Sequence, residues 1–464
     1  MSDTYRAAVV SALANGWRFG GLHASAGGSL VRVALVSPEG GAVRTETAAV
    51  RDGHLPTIVD LAPAAGWDER EAADLYGVRF DGHEPLRPLV HHDLKLRSWT
   101  VPVRGADAYQ VAVGPIHAGV IESGHFRFHV VGDRILHVDA RLFYKHRGLE
   151  RAAEGRTLEE GLAYALRACA ACAVSNTVAY AQACEDATGL SPPAELARAR
   201  TLLLELERTW NYLNDITAIC SGTGMAGGFA SFAALAERCR RLNAALTGHR
   251  FLFGSVAVGG SALTLDEGQV AAAREELQAV AAASKSSWRE LLFNRSFQDR
   301  LPDIGTVTGS DCRKLGATGP AARASGVAED VRESSAGLAY DGFTTVIPVR
   351  AGGDVQARLE QRALELLQTF ELLDELLARP LAPAAAVQGG ETKPLGVGRV
   401  ESPRGATLCI VEQSGGRIER LRLRTGSYAN WPVVAHAATG GLLPDFPLIN
   451  KSFELCYACV DRCC

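Results

Sequence analysis

A chain of 464 residues with 47% hydrophobic and 22% charged residues has the balance of a water-soluble globular protein, long enough for two or three domains. A formal net charge of −4 gives no basic field for a phosphate backbone and excludes nucleic acid as an expected partner. No apolar run reaches the roughly 20 residues that cross a bilayer, and the first residues lack a basic start and a cleavage site. The chain is therefore expected in the cytoplasm, with any membrane link made through partner subunits.

Residues 1–95 mix short apolar segments, such as Gly28 to Val36, with Gly-rich turns and one helical stretch, which suits a small α+β domain. Its helix runs from Gly66 to Val78 and is closed by Gly77, after which Gly82-His83-Glu84-Pro85 forms a turn. Arg and Pro residues follow as a linker, set at 96–113. From Gly114 a hairpin is expected, with strands His125 to Val131 and Ile135 to Val138 around Gly132-Asp133. Apolar residues at three- and four-residue spacing then predict long helices over 158–186, 193–219, 232–253, 265–293 and 355–377, a bundle. Beyond Pro380 a second hairpin pairs Cys409 to Glu412 with Ile418 to Arg424 around Gly415-Gly416. The expected fold class is α+β: a small N-terminal α+β domain, then over 114–464 a mainly α-helical bundle domain with peripheral β-hairpins.

Eleven cysteines in an intracellular chain are expected to be reduced thiols. Cys184, Cys220, Cys239, Cys312 and Cys409 stand alone and read as small buried hydrophobes. Two pairs share the C-x-x-C spacing, Cys169 with Cys172 and Cys456 with Cys459. Four thiolates suit zinc, an iron–sulfur cluster or nickel. A structural zinc site draws its pairs from roughly 12 to 20 residues apart, far closer than these. A redox C-x-x-C needs only one pair and a thioredoxin-like context, which is absent. Four unrelated buried thiols would explain either pair alone better than both together.

The C-terminal run Tyr428-Ala429-Asn430-Trp431-Pro432, the segment Pro447-Leu448-Ile449 and Cys456-Tyr457-Ala458-Cys459-Val460-Asp461-Arg462 closely resemble the large subunit of group 4 nickel–iron hydrogenases, as in formate hydrogenlyase, and its relative in respiratory complex I. Other blocks agree in the same order: Gly114-Pro115-Ile116-His117, Gly124-His125-Phe126-Arg127, Arg141 to Glu150, Thr318-Gly319-Pro320 with Arg323 to Gly326, and Glu401-Ser402-Pro403-Arg404-Gly405. The block Trp67-Asp68-Glu69-Arg70-Glu71 resembles the 30-kilodalton subunit of complex I, which formate hydrogenlyase fuses to its large subunit.

The resemblance implies that Cys169 and Cys456 are terminal ligands of nickel, and that Cys172 and Cys459 bridge nickel to an iron carrying carbonyl and cyanide ligands. Arg404 matches the guanidinium above the open metal position, though alone it reads as a turn arginine. Glu122 falls where the family relays protons from a nickel thiolate, though alone it reads as a solvated loop residue. Glu454 keeps, with one more methylene, the acid that opens the family's second motif. The departures are Ala170 for glycine, Asn176 for histidine and Leu455 for proline, and only Cys463 and Cys464 follow Arg462.

The function implied is reversible hydrogen oxidation or proton reduction, with electrons passing to a small subunit that carries iron–sulfur clusters. The implied partners are that small subunit, a ferredoxin-like subunit and integral membrane subunits of the complex I type. Such a chain sits peripherally on the inner face of the cytoplasmic membrane, without inserting into it. A second reading is a quinone-binding module of the NADH–quinone oxidoreductase type with no nickel–iron site, in which Tyr144 and His146 matter more than the thiols. A third is an assembly subunit with structural zinc.

Overall fold

The computed structural model describes residues 2–91, 99–105, 107–116, 122–335, 337–348 and 351–462. Near the N-terminus three antiparallel strands, Arg18–Ala24, Leu30–Val36 and Val43–Ala49, form a sheet with Leu30–Val36 in the centre. Val31, Val33 and Leu35 of that strand pack with Val9 of the helix Ser2–Ala14, Ala72 of the helix Gly66–Tyr76, and Leu55, Ile58 and Phe80. Ala34 points the other way, against Leu408 and Ile410 of a later sheet. A strand buried on both faces reads as a nearly continuous apolar run, which is why this segment is so legible.

The helix Gly66–Tyr76 ends, as expected, on Gly77 in the left-handed conformation at φ 71°. Its first residues each meet a different part of the molecule. Trp67 lies 5.9 Å from the Phe143 ring and 5.7 Å from that of Tyr428. Asp68 pairs with Arg422 at 3.0 Å and Arg424 at 3.2 Å, and Glu69 accepts from Thr57 Oγ1 and Ile58 N. Arg70 donates to the carbonyls of Arg87 and Pro88, while Asp74 accepts from the amides of Leu89 and Val90. The chain after the turn is thus pinned to this helix. Buried Glu71 contacts Arg422, and although burial alone would raise it, Arg422 and Arg462 hold its carboxyl at about 2.

A second sheet orders Tyr109–Val113, His125–Val131 and Arg134–Arg141, with the hairpin where the sequence predicts it. Tyr109–Val113 falls in the segment read as linker, yet it forms the edge strand of this sheet. Val111 and Val113 pack on the core beneath while Gln110 and Ala112 face outward, an alternation too short to stand out. A third sheet, Leu395–Ser402, Gly405–Ser414 and Arg417–Arg424, contains the second expected hairpin and one further strand.

Four of the five expected bundle helices are present, as Ala194–Thr223, Ala226–Thr247, Glu267–Phe293 and Val355–Leu376. The fifth stretch, 158–186, is two helices, Leu158–Leu166 and Ala173–Thr188, separated by a tight turn at Ala170–Cys172. The apolar periodicity runs through this break because both sides remain buried. Helix Ala173–Thr188 lies across the third sheet so closely that a Cβ on Gly398 would stand 1.9 Å from the Ala179 carbonyl oxygen. The variant Gly398→Ala is expected to lose about 2 kcal/mol or more in urea unfolding, since neither backbone can retreat.

The isolated cysteines Cys184, Cys220, Cys239, Cys312 and Cys409 are all buried, as expected. Burial pushes the thiols of Cys184, Cys220 and Cys239 up to about 12. No helix among the described residues is long and apolar enough to cross a membrane.

Candidate metal centre

The Sγ atoms of Cys169, Cys172, Cys456 and Cys459 all lie within 4.8 Å of one another. The two pairs, from distant parts of the chain, thus meet at one point. Cys169 precedes the tight turn and Cys172 caps the helix that follows it, so the break in the expected helix is what turns both sulfurs to one side. The second pair lies on a turn after the helix Phe446–Phe453. Hydrogen bonds from Cys169, Cys172 and Cys459 outweigh burial and hold Cys456 well below the usual thiol range. Hydrogen bonding with the other three sulfurs pushes Cys172 well above it. A buried cluster of this kind carries its full negative charge only when a cation neutralises it.

Three side chains hold the two motifs together. The Arg147 guanidinium donates to the Arg167 carbonyl at 2.8 Å and to those of Ala168 and Ala458 at 2.6 Å, clasping both cysteine motifs with one group. Buried Glu207 caps the helix after Cys172, accepting from Val174 N at 2.6 Å, Ser175 N at 3.0 Å and the Ser175 hydroxyl. Asn211 donates to the Ala171 carbonyl at 2.8 Å, inside the first motif. Together they satisfy the main-chain groups that the helix break exposes.

Burial raises the Glu207 carboxyl to about 7 despite those hydrogen bonds. A folded value above the unfolded one means that its stabilising contribution is complete below about 4.5 and is lost as pH rises through about 7. Urea unfolding of Glu207→Gln is therefore expected to lack the part of the wild-type decline that falls in this window.

Arg404 sits between two sheet strands at a turn, 4% exposed, and reaches back toward the sulfurs. Its Nη1 bonds Asp215 Oδ2 and its Nη2 donates to Asn211 Oδ1 at 3.2 Å. Asp215 also accepts from Arg362 Nε at 2.9 Å. Burial opposes the charge, but Asp215, then Cys456, Cys172 and Glu454, hold the guanidinium well above its ordinary value. The turn is fixed by a crossing of two backbones, where a Cβ on Gly319 would stand 2.4 Å from Gly405 Cα. Asn430 latches it, donating to the carbonyls of Thr318 and Arg404 at 3.0 Å each.

Glu454 follows the helix Phe446–Phe453 in the left-handed conformation, at φ 49°. Burial, with Asp215 nearby, raises its carboxyl to about 7. A cavity of about 700 Å³ opens on the site, lined by Cys169, Cys456, Arg404, Glu454 and Glu122 among others. Every residue that the resemblance marked is thus on or beside this cavity, except Cys172 and Cys459, which lie deeper. His117, Cys463 and Cys464 lie outside the described residues.

Of the departures, Ala170 and Leu455 also line the cavity. Asn176 is fully buried on the helix that Cys172 caps, with no hydrogen bond from its side chain to any described residue. Tyr144 and His146 precede Arg147 on the approach to the site and are not among the cavity's lining residues. Burial raises the Tyr144 hydroxyl and lowers the His146 imidazole.

Sequence reasoning gave no role to Arg147, Glu207, Asn211 or Asp215. The helix Ala194–Thr223 did carry a signal, since it is buried along most of its length yet holds Arg200, Glu205, Glu207, Arg208 and Asp215. Charges spread over every face of a buried helix mean partners at every level.

The family model described as the 49 Kd subunit of respiratory-chain NADH dehydrogenase matches residues 223–393 and 383–462, and that of the 30 Kd subunit matches residues 23–106. Formate hydrogenlyase subunit 5 of Escherichia coli (strain K12) is 30% identical over 436 residues, covering 88% of this chain and 77% of that protein. The fused C/D 2 component of NADH-quinone oxidoreductase from Aquifex aeolicus (strain VF5) is 26% identical over 496 residues, covering 89% of this chain and 85% of that one. A solved structure of the membrane-bound sulfane sulfur reductase, an archaeal respiratory membrane complex, aligns with a TM-score of 0.71 at 27% identity, covering 76% of this chain and 98% of its counterpart. With a four-cysteine cluster joining the two ends of its main fold, the chain belongs to the family of group 4 nickel–iron hydrogenase large subunits, the relatives of the fused 30- and 49-kilodalton subunits of complex I.

Proposed function

We propose that this chain is the catalytic large subunit of a membrane-associated nickel–iron hydrogenase, interconverting hydrogen with protons and electrons. The observation that carries the reading is the meeting of four sulfurs within 4.8 Å, two from each C-x-x-C. The donor set fits: four soft ligands suit nickel and iron, and the adjoining cavity leaves room for small ligands and substrate. Cys169 and Cys456 would hold nickel, and Cys172 and Cys459 would bridge it to an iron with carbonyl and cyanide ligands. Such a centre, when bound, supplies the heterolytic cleavage of hydrogen.

The chain's own residues supply geometry and proton handling. Arg404, braced by Asp215 and Asn211, holds a fixed positive charge at the cavity wall, where it stabilises developing negative charge. The Glu454 carboxyl, near neutrality on the same wall, suits a group that takes and returns a proton. Glu122 stands at the cavity as a second carboxyl for that path.

In this reading residues 1–95 act as a unit of the complex I 30-kilodalton type and residues 114–464 as the catalytic unit, joined by the segment 96–113. Electrons pass to a small subunit bearing iron–sulfur clusters, beside a ferredoxin-like subunit and integral membrane subunits. The assembly lies on the cytoplasmic face of the membrane. The likeness to a fused component of NADH-quinone oxidoreductase, with Ala170 and Asn176 at departing positions, favours one other reading, a quinone-linked module without nickel. Metal analysis of the purified complex separates them. Nickel and iron together support the hydrogenase, and zinc or no metal contradicts it.

A further inference from the structure

We propose that the N-terminal unit positions the C-terminal cysteine pair, with Glu71 as the positioning residue and Arg462 as the group it acts through. The proposal rests on the metal-centre reading only for its consequence, since the contacts themselves join the two units whatever the site binds.

Arg462 lies three residues after Cys459 and is fully buried. Its carbonyl accepts from the amides of Leu149 at 2.9 Å and Glu150 at 3.3 Å. Its guanidinium donates to the Leu423 carbonyl, pairs with Glu150 at 3.1 Å and Glu71 at 3.7 Å, and stands 4.7 Å over the Tyr428 ring. Glu71 belongs to the N-terminal helix Gly66–Tyr76 and shares its charge with Arg422. One carboxylate from the N-terminal unit therefore separates two buried guanidiniums of the C-terminal unit.

The two cations are not held alike. Arg422 lies within the strand Arg417–Arg424, in register with Ile410 on the neighbouring strand, and its backbone has no freedom to move. Arg462 ends a turn that starts at Tyr457 and belongs to no strand or long helix. When the intervening negative charge is removed, mutual repulsion and the loss of a partner fall on the compliant side. That side carries Cys456 and Cys459. Asp68, three residues before Glu71, contacts Arg422 and Arg424 but not Arg462, so it belongs to the interface without reaching the turn.

The test is hydrogen exchange by mass spectrometry on the intact complex, comparing wild type with Glu71→Gln and Asp68→Asn. In Glu71→Gln the peptide over residues 455–462 is expected to exchange about tenfold faster, with the helix Ala194–Thr223 unchanged. The carbonyl and cyanide infrared bands are expected to shift in the same variant. Asp68→Asn is expected to leave residues 455–462 as in wild type. The conservative Glu71→Asp restores part of the protection, and it carries the comparison if the glutamine variant fails to accumulate. Unchanged exchange at 455–462 in Glu71→Gln overturns the proposal, as does equal loosening in Asp68→Asn, which would mark a general loss of the interface. A wild-type complex without those infrared bands sinks the hydrogenase reading instead and leaves the exchange comparison standing.

Discussion

Replacing Cys456 with serine is expected to remove nickel and iron together from the purified complex and to lower hydrogen turnover by about 10³-fold or more. Serine has nearly the same shape, but its hydroxyl is a hard and weakly acidic ligand. Cys456 is also the sulfur on which the other three thiols converge. Losing it takes from the cluster the group most ready to be a thiolate, so the remaining three sulfurs have no anchor around which to collect a cation. The same outcome is expected for Cys169, Cys172 and Cys459. Cys220→Ser gives the contrast, since this isolated buried thiol contacts no other sulfur of the cluster, and metal content is expected to stay at the wild-type level. Elemental analysis of the two variants side by side checks both halves.

Arg404→Lys is expected to keep the metals and lose about 10²-fold in kcat. Lysine retains the charge but not the fork, and a single ammonium cannot bond Asp215 and Asn211 as Nη1 and Nη2 do. The charge then moves within the cavity, and its stabilising effect is diluted. Arg404→Ala goes further, leaving buried Asp215 to Arg362 alone, and is expected to cost about 3 kcal/mol of stability as well as activity. A lysine variant with full activity would show that the forked geometry has no part in turnover.

The sequence made the strongest periodicities legible. The central N-terminal strand, both hairpins and four long helices stand where apolar spacing and Gly-rich turns put them. The break between Leu166 and Ala173 was hidden, because its exposed main-chain groups are satisfied by Arg147, Glu207 and Asn211, residues remote in sequence. Local pattern carries no information about a cap supplied from another helix. The strand Tyr109–Val113 escaped notice for a similar reason, since five residues with two apolar side chains inward resemble any short linker.

The site was legible as a set of residue types and not as an arrangement. Two C-x-x-C pairs say that four soft ligands exist, and the family resemblance says that they meet. Neither says why they meet without strain. The answer lies in charges that look decorative in the sequence: Glu207 and Asp215 on a buried helix, Arg147 in a loop, and Glu71 in the N-terminal unit. Each is buried or half-buried with a specific partner, and partners across the chain are invisible to spacing alone.

The most direct measurement is X-ray absorption at the nickel edge of the purified wild-type complex. Nickel surrounded by sulfur, with an iron neighbour, is the expected result, and the signal should vanish in Cys456→Ser. Nickel held by nitrogen and oxygen, or no nickel in a complex that is otherwise fully assembled, would contradict the assignment of these four cysteines to a catalytic metal centre.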